Sequence, residues 1–219
     1  MRWIKDCLIS PHKAFRRLSK KPSLWEGATV VLAVAAVRGL ANYNYFGKMS
    51  LYAVSERMRG LFKPEIGIMI PKQLHYALMI ASGLLGVAGL LLRWLLSSAM
   101  FHVFSKPFKS EGKFKGILSL SGCALTPLLF QNILRLVDSL TISLDQVVKL
   151  ETQLRLTQPL TTRILNASTE LFNIFGIWTI ILSVLAVEEN YELPRAKSVI
   201  VVVLSYTILL LVSTLSPFL

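Results

Sequence analysis

Leu74–Phe104 reads LHYALMIASGLLGVAGLLLRWLLSSAMFHVF, an apolar run that one charged side chain, Arg93, interrupts. A helix of that length extends roughly 45 Å, against a bilayer hydrocarbon core of about 30 Å. The run is therefore expected to cross a membrane and to tilt, bend or project beyond it. Ser82, Gly83, Gly86 and Gly89 add small residues where a second helix can approach closely, within one bundle or between two copies of the chain.

Four further apolar blocks flank this one. Leu24–Phe46 contains an uncharged stretch, Gly27–Val37, too short to span alone, so Glu26 and Arg38 sit near the interfaces or meet partners. Ala33-Val34-Ala35 has the form of a signal cleavage site, but the long basic region before it and Tyr43 and Tyr45 after it favour a retained span. Gly116–Val137 carries Pro127 at its centre, which predicts a kink near Leu125-Thr126-Pro127. Ile164–Val187 and Ser198–Ser216 complete the set. The expected fold is all-α, a bundle of five membrane-crossing helices over residues 25–219. A separate amphipathic interfacial helix is expected in 47–73, where Leu51, Val54, Met58 and Leu61 share a face before Pro64 and Pro71.

Residues 1–24 are basic, with Arg2, Lys5, Lys13, Arg16, Arg17, Lys20 and Lys21 against the single acid Asp6. Trp3, Ile4, Cys7 and Leu8 fall at helical spacing, as do Ala14, Phe15 and Leu18 beyond Ser10-Pro11. Two short amphipathic pieces are expected, their apolar sides in the membrane surface. Lys13, Arg16, Arg17, Lys20 and Lys21 would then meet anionic headgroups.

Composition agrees with a membrane protein. Of 219 residues, 53% are hydrophobic and 16% charged, where a soluble domain carries about 25% charge. The net charge of +12 flanks the apolar blocks and forms no separate basic domain, so nucleic acid is not an expected partner. Segments 1–24, 105–115 and 188–197 hold 13 Lys and Arg, against 8 in segments 44–73 and 138–163. That bias predicts a multi-pass protein of the cell membrane, or of an endomembrane in a eukaryote, with the N-terminus in the cytoplasm and the C-terminus outside.

Polar residues inside the spans need partners or tasks. Gln131, Asn132 and Arg135 end the third block, and Asn166, Glu170 and Asn173 share a face at the start of the fourth. Arg38 reaches a similar depth, and Arg135–Glu170 is the natural ion pair. This outer-leaflet layer is either a cavity for a headgroup, ion or partner, or a lock between helices. Arg93 lacks an evident acidic partner and is expected to snorkel inward.

Catalytic signatures are missing. His12, His75 and His102 stand alone, and no HExxH, GxSxG or P-loop occurs. Ser121 and Ser183 are expected to bond back to helix carbonyls. Cys7 and Cys123 lie in different kinds of segment and are expected not to meet, with no Cys/His cluster for zinc. Neither metal nor cofactor is expected.

Four places resemble the Yip1 domain family in its bacterial and archaeal form. They are Ser10-Pro11-His12-Lys13-Ala14-Phe15 with Pro22 before the first span, and Lys106-Pro107-Phe108-Lys109 leading to Gly116. Then come Thr126-Pro127-Leu128-Leu129, and Ile177-Trp178-Thr179-Ile180-Ile181-Leu182 followed by Glu188-Glu189 and Arg195-Ala196-Lys197. The resemblance covers nearly the whole chain and implies five transmembrane helices, a cytoplasmic N-terminus and no known catalytic residue. Eukaryotic relatives act in vesicle trafficking and contact Rab GTPases. The short N-terminal segment here departs from them, so GTPase binding is not carried over. The expected function is non-enzymatic, organising membrane or protein partners through a basic inner face. The alternative is a transporter of a small solute or lipid, or an accessory subunit of one, using the outer polar layer and the Pro127 kink.

Overall fold

The long apolar run is one helix in the computed structural model, which describes residues 6–7, 10–61, 72–141 and 173–215. In chain order the elements are α1 (Pro11–Lys20), α2 (Leu24–Leu61), α3 (Lys72–Ser105), a 3-10 turn (Lys106–Phe108), α4 (Phe114–Ala124), α5 (Thr126–Thr141), α6 (Ile174–Tyr191) and α7 (Arg195–Leu215). Five helical stretches among the described residues are long and apolar enough to cross a membrane: Leu24–Lys48, Gln73–Phe108, Phe114–Thr141, Ile174–Tyr191 and Arg195–Val212.

One expected boundary is missing and another is present. The stretch from residue 47 to 61, expected as a separate interfacial helix, continues α2 without a break. No proline occurs between Leu24 and Pro64, so nothing interrupts the hydrogen-bond ladder. Pro64 and Pro71 lie outside the described residues. The third span does break where expected, at Leu125 between α4 and α5. Pro127 has no N–H to offer the carbonyl of Cys123 one turn back. The Thr126 hydroxyl donates to that carbonyl instead, at 2.6 Å, and the break leaves it satisfied.

α2 packs against α3, α4 and α5, while α6 covers α4, α5 and α7. α4 is the most enclosed, with Ile117 and every residue from Ser119 to Ala124 buried. Lipid tails are as apolar as leucine, so helices gain little by hiding apolar faces from them and associate through close packing and polar contacts. Both occur. A side-chain carbon on Gly122 would lie 2.7 Å from Gly27 Cα, so α2 and α4 touch backbone to backbone. α2 and α3 meet similarly at Gly39 and Gly83, each 3.1 Å from the other's carbonyl by the same measure. The Ser82, Gly83 and Gly86 face thus packs inside the bundle, against Asn42 as well as Gly39. Gly89 is half-buried one turn on.

Hydroxyls tie the helices together. Ser98 Oγ and Ser121 Oγ lie 2.6 Å apart, and Trp94 Nε1 donates to the Leu118 carbonyl at 3.1 Å. Ser119 Oγ donates to the Ser23 carbonyl at 2.6 Å. Ser121 and Ser183 do bond back to carbonyls in their own helices. Each also reaches a neighbouring helix, Ser183 through Tyr206 at 3.1 Å.

Two expectations about the N-terminal segment are corrected. Phe15 is fully buried and Ala14 and Leu18 are 2% exposed, because α1 packs on α4 and α6. Its apolar side faces protein, not lipid. Cys7 and Cys123, expected apart, are both 0% exposed in one apolar cluster, their side chains in contact. That contact holds the Cys7 thiol below its ordinary range, against the opposing effect of burial. Cys7 thus lies over α4, a placement that residue order alone does not reveal. Trp3, Ile4 and Leu8 lie outside the described residues.

Gly122→Ala, with backbone on the opposing wall, is expected to cost about 3 kcal/mol. Gly83→Ala, where the nearest atom stands 3.1 Å away, costs less. Melting curves in detergent check the order, and equal losses would deny that α2 and α4 make the tighter contact.

Candidate functional site

Odd and even spans run in opposite directions, so α1, the connection between the second and third spans, and the turn between the fourth and fifth share one end of the bundle. Lys20 from α1, Phe108, Lys109, Glu111 and Lys113 from the first connection, and Tyr191, Glu192 and Lys197 from the second line a groove of about 570 Å³.

Local sequence explains its walls. Lys109 follows the 3-10 turn with φ 56, and Glu192 ends α6 with φ 52. They are the non-glycine residues at positive φ among those described. Left-handed backbone at a side chain costs on the order of 1 kcal/mol that glycine would avoid. Glycine is required elsewhere in the groove. A side chain at Gly112 would run into the Tyr191 ring, and one at Gly116 into Asn190 Oδ1. The two connections lie that close, and Asn190 Nδ2 donates to the Lys113 carbonyl at 3.3 Å. Tyr191 is 3% exposed, and its hydroxyl lies 2.8 Å from His102 Nδ1. Lys197 Nζ stands 5.5 Å from the centroid of the Phe108 ring.

The electrostatics are positive. Lys20, Lys109, Lys113 and Lys197 face Glu111 and Glu192 across the groove. Glu188 beside it is engaged by Arg195 at 3.2 Å. α4 and α7 begin here with no acid in their first turns, so their N-terminal dipole ends add positive potential. Lys13, Arg16, Arg17 and Lys20 on α1, and Lys21 just after it, are exposed beside the groove. Arg17 lies 3.8 Å from both Asp6 and Glu26, separations at which half-exposed pairs contribute little.

The polar layer within the spans is only partly assembled by the described residues. Arg38, Gln131 and Asn132 line a cavity of about 40 Å³, joined by Arg93, Trp94 and Tyr206. Arg93, expected to snorkel away, lies against this cavity. Asn132 Nδ2 donates to the Leu128 carbonyl at 2.7 Å, and its Oδ1, also buried, has no hydrogen-bond partner. Arg135 is half-buried and is not among the lining residues. Asn173 caps α6, its Oδ1 accepting from the Gly176 N–H at 2.8 Å. Asn166 and Glu170, and with them the Arg135–Glu170 pair, lie outside the described residues. Among the described residues, no three His, Cys, Asp or Glu are grouped to hold a metal.

Residue order missed Lys109, Lys113 and Lys197 as groove residues. The signal for them was the shared end that alternating spans impose on their connections.

Residues 5–216 match the Yip1 domain family. The chain belongs to that family. No curated protein and no solved structure matches it. This Yip1 protein is a multi-pass membrane protein whose docked α1 and two connections build its basic end.

Phe15→Ala removes the largest side chain holding α1 down, a cost of about 3–5 kcal/mol. Trypsin is then expected to cut rapidly between Lys13 and Lys21, and Cys7 to react with a maleimide that reaches it in the unaltered protein only after SDS. Unchanged protection in the variant would show that Phe15 does not hold the segment.

Proposed function

We propose that this Yip1 protein is a non-catalytic organiser of the membrane around it, gathering anionic phospholipid at its basic end. A cytoplasmic protein partner with an acidic surface would meet the same face. The observation that supports this is the burial of Phe15, with Ala14 and Leu18 beside it. Their contacts hold α1 against the bundle, so its cations form a fixed surface instead of a loose tail. A fixed cationic surface at the depth of the headgroups attracts anionic lipid by about 1 kcal/mol per Lys or Arg. The distribution of Lys and Arg along the chain supports an N-terminus in the cytoplasm and a C-terminus outside.

Transport has less support. The cavity that the described residues line within the spans, about 40 Å³, holds roughly one water molecule, well short of the space a solute needs.

Full-length protein in nanodiscs of mixed phosphatidylglycerol and phosphatidylcholine is expected to retain phosphatidylglycerol preferentially in native mass spectrometry. The preference should weaken as salt is raised toward 1 M, where screening acts over about 3 Å. Equal retention of the two lipids at low salt would refute the reading.

A further inference from the structure

We propose that the groove between Lys20, Lys109, Lys113 and Lys197 is a discrete binding site for a hydroxylated phosphate group, the headgroup of an anionic phospholipid. The proposal deepens the preceding reading and rests on it, but makes a separate claim: the groove, more than the basic face as a whole, selects the ligand.

The groove's place argues for phosphate. Its lining residues Phe108 and Tyr191 close the second and fourth spans, which puts it where a bilayer's phosphates lie. Its size, about 570 Å³, falls among ligand pockets of roughly 300–1,000 Å³. That exceeds what a bare inorganic ion would fill.

Its chemistry argues for the rest of the headgroup. Four lysines line the groove from three segments far apart in sequence, and one phosphate can share its oxygens among several point-charge donors. Glu111 and Glu192 on the same walls offer acceptors for hydroxyls, such as those of a glycerol headgroup. The backbone adds an independent observation. Lys109 and Glu192, one of each charge, occupy left-handed positions where glycine would be less strained. Strain kept at such positions clusters at functional sites.

Titration of phosphatidylglycerol into the detergent-solubilised full-length protein tests this, with bound lipid read by native mass spectrometry. Lys109→Gln/Lys113→Gln/Lys197→Gln is compared with Lys13→Gln/Arg16→Gln/Lys21→Gln, which removes equal charge from α1 outside the groove. The groove variant is expected to lose about tenfold more affinity than the other, since charged hydrogen bonds exceed diffuse attraction. Equal losses in both would overturn the groove while leaving the basic face standing. No preference of the unaltered protein for phosphatidylglycerol over phosphatidylcholine would remove both. A second variant guards against misfolding: Lys109→Gly should raise the melting temperature while lowering affinity several-fold, and a fall in both or a rise in both counts against the site. Competition by free glycerol 3-phosphate at similar affinity would assign the phosphate to a soluble ligand, and its failure to compete would assign it to lipid.

Discussion

Between Gly27 and Gly122, α2 and α4 meet with no side chain between their backbones, and the architecture depends on that contact. Lipid supplies no hydrophobic reason for one apolar helix to prefer another. What remains is dispersion across closely matched surfaces and the few hydrogen bonds that matching allows. Ser119 Oγ reaches the Ser23 carbonyl because the helices are this close, and Gly39 and Gly83 repeat the arrangement between α2 and α3.

That packing encloses most of α4 and leaves a face of it for α1 to cover. The apolar stripe of α1 is short, and either lipid or protein could have covered it. Protein does, and the consequence is electrostatic as much as structural. A helix lying loose in a membrane surface would scatter its cations. Docked on α4 and α6, α1 keeps Lys20 beside the lysines of two connections more than eighty residues away in sequence. Gly112 and Gly116 make this possible from the other side, because they let the first connection press against Asn190 and Tyr191.

The polar groups within the spans follow a different logic. Asn132, Arg38 and Arg93 converge on a cavity about the size of one water molecule. There Asn132 keeps its Nδ2 bonded to its own helix. Asn173 uses its oxygen to cap α6. Such groups orient helices, and the Asn132 oxygen stays buried without a hydrogen-bond partner.

Residue order by itself determined the number of spans, the break at Pro127 and the basic character of one end. Each follows from properties local to a stretch of chain: run length against bilayer thickness, a missing N–H, and charge beside apolar blocks. Five alternating spans also dictated which connections share an end, although Lys113 and Lys197 were not recognised on that basis. Only the tertiary structure decided what covers Phe15, that Cys7 lies against Cys123, and that Gly27 opposes Gly122. Periodicity reveals that a helix has an apolar or small-residue face. It carries no record of what that face meets, because partner choice depends on contacts between segments distant along the chain.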